Sequence, residues 1–142
     1  MIIAVDFDGT IVEHKYPQIG EEISFAVETL KLLSKEKHHL ILWTVREGQL
    51  QEDAVQWCKD RGLEFYAVNK NYPEETTSTK GFTRKINADL FIDDRSLGGI
   101  ADWGTTYQMI KEKRMFEPFE KKEIKTRKLS FSERIKGYVK ED

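Results

Sequence analysis

Four short apolar runs punctuate the chain, and each ends at a polar residue. Ile2–Val5 is β-branched at three of its four positions and breaks at Asp6. Leu40-Ile41-Leu42-Trp43 breaks at Thr44, Phe65–Val68 is shorter, and Ala88–Ile92 runs into Asp93-Asp94. Continuous apolar runs of this length predict strands buried on both faces of a parallel sheet. Between them the period changes. Glu21–Glu36 places Ile23, Ala26, Val27, Leu30 and Leu33 on one helical stripe. Gln49–Arg61 does the same with Leu50, Ala54, Val55, Trp57 and Cys58, and Gly62 stops it. A third helix is expected over Ile100–Lys113. Residues 9–20, with Gly9, Pro17 and Gly20, and residues 69–84, with Pro73, read as loops. Beyond Met115 the chain is charge-rich, with a weak helical pattern over Phe131–Val139.

Alternating strands and helices predict an α/β fold: a Rossmann-like open parallel sheet with helices on both faces. The expected organisation is one domain over residues 1–114, followed by a charged, partly helical tail over 115–142. The 142 residues suffice for one such sheet and a modest core.

Composition narrows the classes. With 39% hydrophobic and 34% charged residues, the chain reads as a globular protein with a charged surface. A net charge of −2 offers no broad field for nucleic acid or an anionic membrane. The tail from Lys111 is net basic and the remainder net acidic. The single cysteine, Cys58, excludes an intrachain disulfide and a paired-cysteine zinc site. No signal-peptide pattern or membrane-length apolar run is present, so a reducing, cytoplasmic setting is expected.

The strand ends carry the candidate chemistry. In an open parallel sheet the carboxyl ends of the strands meet at the ligand crevice. Asp6-Phe7-Asp8-Gly9-Thr10, Thr44 and Asp93-Asp94-Arg95 therefore converge although far apart in sequence. Up to four carboxylates in one crevice repel each other unless a cation intervenes. Magnesium suits that role, because it takes a few carboxylates and keeps positions for water and phosphate oxygen. A carboxylate can attack phosphorus, and a second can move the proton. A strand-end hydroxyl can hold a phosphate oxygen, a lysine can neutralise developing charge, and Gly9 permits a turn whose amides face the phosphate.

An apolar strand running into D-F-D-G-T resembles the first motif of the haloacid dehalogenase superfamily of phosphohydrolases. The resemblance covers roughly residues 1–100. It implies that Asp6 is nucleophile and metal ligand, and that Asp8 is general acid/base with its backbone carbonyl on the metal. Leu40–Thr44 resembles the second motif, with Thr44 as phosphate binder. Phe91-Ile92-Asp93-Asp94 resembles the fourth, with Asp94 ligating magnesium directly and Asp93 directly or through an intermediary. The third motif needs a cation before that strand; Lys80, Arg84 and Lys85 all qualify, and Lys85 is favoured by its position. Family members often insert a cap domain. Here one loop, one helix and one strand fill the interval between Asp8 and Thr44, and a helix, a strand and a loop fill that between Thr44 and Lys85. The expected molecule is capless, screened by loops 11–20 and 69–84 or by a neighbouring subunit.

Other residues receive plainer readings. Arg46 is either a substrate contact or a solvated loop arginine, and His14 either touches substrate or solvent. Trp43, Trp57 and Trp103 read as packing residues. Cys58 reads as an inert core thiol, since no basic partner is evident. The expected function is a magnesium-dependent phosphatase acting on a phosphorylated small molecule or nucleotide through an aspartyl-phosphate. The alternatives are a non-catalytic binding or regulatory domain and a phosphatase of nucleic acid ends. No membrane or nucleic-acid partner is expected, and the tail leaves a homo-oligomer open.

Overall fold

The computed structural model describes residues 1–120. Its elements follow the order β1 (Ile2–Val5), α1 (Ala26–Lys35), β2 (His39–Leu42), α2 (Gly48–Lys59), β3 (Ala67–Val68), β4 (Leu90–Ile92) and α3 (Trp103–Lys111). The strands form one parallel sheet in the order β3-β2-β1-β4. The expected Rossmann-like α/β domain is what the chain forms. Among the described residues no helix is long and apolar enough to cross a membrane.

Register explains the core. Ile3 pairs with Leu40 and Leu90, Ala4 with Ile41 and Phe91, and Val5 with Leu42 and Ile92. Side chains alternate along each strand, so each matched row faces one side. Ile3, Val5, Leu40, Leu42, Leu90 and Ile92 share a cluster with residues of all three helices. Ala4, Ile41 and Ala67 face the other way, against Ile86 and the flanks of Trp43, Ala88 and Phe91.

That division corrects one expectation. Among the described residues the second face is covered by irregular chain around Ile86, not by a helix. Right-handed crossovers account for it. The β1–β2 and β2–β3 steps run one way across the sheet and stack α1 and α2 on one face. The β3–β4 connection runs back past both strands, so it crosses the opposite face. It carries too few apolar positions at helical spacing to form an amphipathic helix there.

Helix α1 begins at Ala26 rather than Glu21. Glu21–Ile23 are drawn instead into pairing with Ile11–Glu13: Glu13 N–H donates to Glu21 O at 2.8 Å and Ile23 N–H to Ile11 O at 2.9 Å. Residues 14–20 therefore form the tip of a hairpin-like flap. Gly20 is required at its neck, where an added Cβ would lie 2.1 Å from Glu13 O. In the tail, Met115 packs against the main core. The helix expected over Phe131–Val139, and any docking of the tail, lie outside the described residues.

Candidate active site

Asp6 follows the last residue of β1, and its N–H donates to Ile92 O at 3.0 Å, which fastens the ends of β1 and β4 together. The alternation of Ile3 and Val5 continues through Phe7, which is fully buried in the main core. The chain then turns, with the N–H groups of Thr10, Ile11 and Val12 all directed at Phe7 O. Asp6 and Asp8 line one crevice of about 190 Å³, together with Asp93 and Arg95 after β4, Val45 after β2, and His14 and Tyr16 of the flap.

Carboxylate oxygens of Asp6, Asp93 and Asp94 lie within 4.8 Å of one another. Burial pushes the Asp6 carboxyl up to about 7 from its ordinary 3.8; the charges of Asp93, Asp94 and Asp8 add to the rise, and the Phe7 N–H opposes it. Three hard oxygen donors in so small a volume fit a magnesium ion, which would hold Asp6 in its charged form. Asp8 stands outside that cluster.

Thr10 and Asn69 are organising residues that the sequence reading passed over. Thr10 Oγ1 lies 3.4 Å from both Asp6 Oδ2 and Asp94 Oδ1 and accepts the Asp94 N–H at 3.1 Å. Its carbonyl accepts from Trp103 Nε1 at 3.1 Å, so the buried indole of α3 braces the turn. Asn69 accepts the Thr44 N–H at 2.8 Å and donates to Thr44 O at 2.8 Å. The signal for Asn69 was available: it is the polar residue that ends β3, as Asp6, Thr44 and Asp93 follow the other runs.

Thr44 is buried beside the crevice; its hydroxyl accepts the Arg46 N–H at 3.1 Å. Two expected phosphate contacts are placed otherwise. Gly9 N–H donates to Val12 O at 2.7 Å, so it is spent within the turn. The glycine serves close approach instead: with φ +84°, an added Cβ would lie 2.4 Å from Asp94 Oδ2. Arg46 is not a solvated loop arginine. It is buried, with Nε on Asp8 Oδ2 and Nη2 on Asp8 Oδ1, both at 2.7 Å. The reason is local: two flap carbonyls and a carboxylate converge there and require a donor with several N–H groups.

Lys85 is exposed, with Nζ 5.6 Å from the centre of the Phe91 ring on the sheet's second face. It is not among the residues lining the crevice, and neither are Lys80 and Arg84. His14 Nε2 lies 3.1 Å from Arg95 Nη2, so these two close one side of the mouth. Trp57 and Trp103 pack in the main core and Trp43 against the smaller one. Cys58 is buried, its thiol pushed up to about 12 by that burial.

Fold and site together define a parallel α/β domain with an acidic crevice at the carboxyl ends of its strands. No protein-family model matches the chain, and no curated protein matches it. Among solved structures, a conserved protein from Bacteroides thetaiotaomicron shares 71% sequence identity with it, at a TM-score of 0.77, over 82% of this chain and 93% of that one. The chain belongs to the family of that conserved Bacteroides protein.

Proposed function

We propose that this chain is a magnesium-dependent phosphomonoester phosphatase of haloacid dehalogenase type, with Asp6 as covalent nucleophile. The observation that carries the reading is the meeting of Asp6, Asp8, Asp93 and Asp94 at the ends of β1 and β4, around one small crevice. Asp6, Asp93 and Asp94 would hold the magnesium, which supplies charge neutralisation for an incoming phosphate dianion.

An Asp6 oxygen attacks phosphorus, the ester P–O bond breaks, and the leaving oxygen takes a proton from Asp8. Water then gives a proton to Asp8 and attacks the phosphorus. The bond to Asp6 breaks, phosphate leaves, and Asp8 again carries the proton for the next ester. Thr44 is the proposed phosphate-binding hydroxyl. Lys85 precedes β4 but does not line the crevice, so it is assigned no step. A crevice of about 190 Å³ walled by a short flap suits a compact phosphorylated small molecule or nucleotide. A cytoplasmic setting fits the unpaired, buried Cys58.

The test is hydrolysis of p-nitrophenyl phosphate with and without Mg²⁺. Activity should vanish with EDTA and return with Mg²⁺. Asp6→Asn should lower kcat by roughly 10⁴-fold or more, as for a lost covalent nucleophile. In Asp8→Asn the intact mass should show a persistent phosphate adduct after quenching. Wild-type kcat in a clean Asp6→Asn preparation would rule the mechanism out.

A further inference from the structure

We propose that Arg46 is a positioning residue: its guanidinium sets the Asp8 carboxylate at the crevice and fastens the flap tip, residues 14–20, beside it. The part concerning Asp8 rests on the phosphatase reading above. Four of the five guanidinium N–H donors are spent. Two go to the Asp8 oxygens at 2.7 Å, one to Pro17 O at 2.9 Å and one to Gln18 O at 2.8 Å. The side chain is 0% exposed and that of Asp8 only 6%. The guanidinium carbon lies 5.3 Å from the ring centres of both Phe7, in the core, and Tyr16, in the flap. The backbone is held as well, by Thr44 Oγ1 at its N–H and by Gln51 Nε2 at its carbonyl, 3.0 Å away.

A buried ion pair is weak evidence of a stabilising role, because apolar residues of similar volume commonly do as well. What distinguishes Arg46 is what it joins. On one side is a crevice carboxylate; on the other is the segment that brings His14 and Tyr16 to the same crevice. The planar fork can hold both carboxylate oxygens and two carbonyls at once, which an ammonium cannot. With both oxygens accepting from Arg46, the Asp8 carboxyl is fixed in one orientation at the crevice. In a chain with no cap domain among the described residues, this clasp ties closure of the crevice to the placement of its proton-transfer group.

Two measurements test the proposal, one dependent on activity and one not. The first compares kcat/KM for an aryl phosphate, whose leaving group departs without a proton, with that for an alkyl phosphate, which needs one. Arg46→Ala should lower the alkyl value by roughly 10²-fold or more and the aryl value by less than about tenfold, the range that general acid catalysis spans. Arg46→Lys, which keeps the charge and lacks the fork, should show the same split and carries the test if the alanine variant fails to fold. In an Asp8→Asn background, Arg46→Lys should add no further split, since the residue acts through Asp8. Arg61→Ala, which removes a guanidinium stacked on Trp57 away from the crevice, should leave the split at its wild-type value. Equal loss toward both substrates in the Arg46 variants would overturn the positioning role.

The second measurement is tryptic cleavage after Lys15, at the flap tip, read from the mass of the released 1–15 fragment. Arg46→Lys should speed it by about tenfold, because local opening governs such cleavage. An unchanged rate would overturn the fastening role. If the wild-type protein hydrolyses no phosphomonoester with Mg²⁺, the phosphatase reading falls with Asp8's step, and cleavage after Lys15 still decides whether Arg46 fastens the flap.

Discussion

Asp6 is the residue on which competing demands fall most heavily. It is partly buried, it faces three other carboxylates, and its carboxyl is pushed up to about 7. The native state therefore keeps the Asp6 proton over a pH range in which the unfolded chain has lost it. By linkage, the stabilisation from that bound proton is fully present below pH ~4 and is lost as pH rises through about 7. Without metal, the wild-type melting temperature should decline across that window. Asp6→Asn cannot ionise, so it should flatten the decline and melt roughly a few degrees higher than wild type at pH 8. Thermal melts in EDTA at pH 4 and pH 8 make the comparison. An equal difference between the two proteins at both pH values would show that the crevice does not raise the Asp6 carboxyl.

At the level of elements, the flap is where local pattern and final structure part. The stripe through Ile23 extends the helical reading of α1 back to Glu21, and taken alone that reading is sound. Tertiary hydrogen bonds between 11–13 and 21–23 override it, because they pair backbone groups that the first turn of a helix would leave unpaired. The neck depends on Gly20. Gly20→Ala forces a methyl group to within 2.1 Å of the Glu13 carbonyl oxygen unless the strands separate. Overpacking of this kind typically costs about 1–3 kcal/mol. Urea unfolding should report a lower midpoint with an unchanged slope. A midpoint equal to wild type would mean that the neck tolerates the methyl and is looser than the distances imply.

For the molecule as a whole, folding assembles a site that no segment holds alone. Asp6 comes from the end of β1 and Asp93 and Asp94 from that of β4. A cation bound by all three binds the native state only, and so stabilises it by mass action. At a hundredfold excess over its Kd, Mg²⁺ should raise the melting temperature by roughly ten degrees. The rise should be larger at pH 8 than at pH 5, since protons compete for Asp6. Asp94→Ala should abolish it, and Asp93→Ala should reduce it less. A melting temperature indifferent to Mg²⁺ at pH 8 would remove the metal from the site.

The sequence by itself determined the strands, their parallel pairing and the gathering of carboxylates at one end of the sheet. Each follows from short-range physics: continuous apolar runs suit strands buried on two faces, and a parallel sheet brings its strand ends to one edge. It also marked Cys58 and the tryptophans as core, since apolar stripes locate a core without knowledge of the partners across it. Only the tertiary structure decided the rest. Whether Arg46 points to solvent, to substrate or to Asp8 depends on two flap carbonyls and a carboxylate that sequence distance keeps apart. Whether the Gly9 N–H is free depends on the turn that closes onto Val12. Asn69 gained its grip on Thr44 because β3 ends beside β2. Hydrogen-bond partners are chosen by position in space to within a few tenths of an ångström, and periodicity along a chain carries no such information.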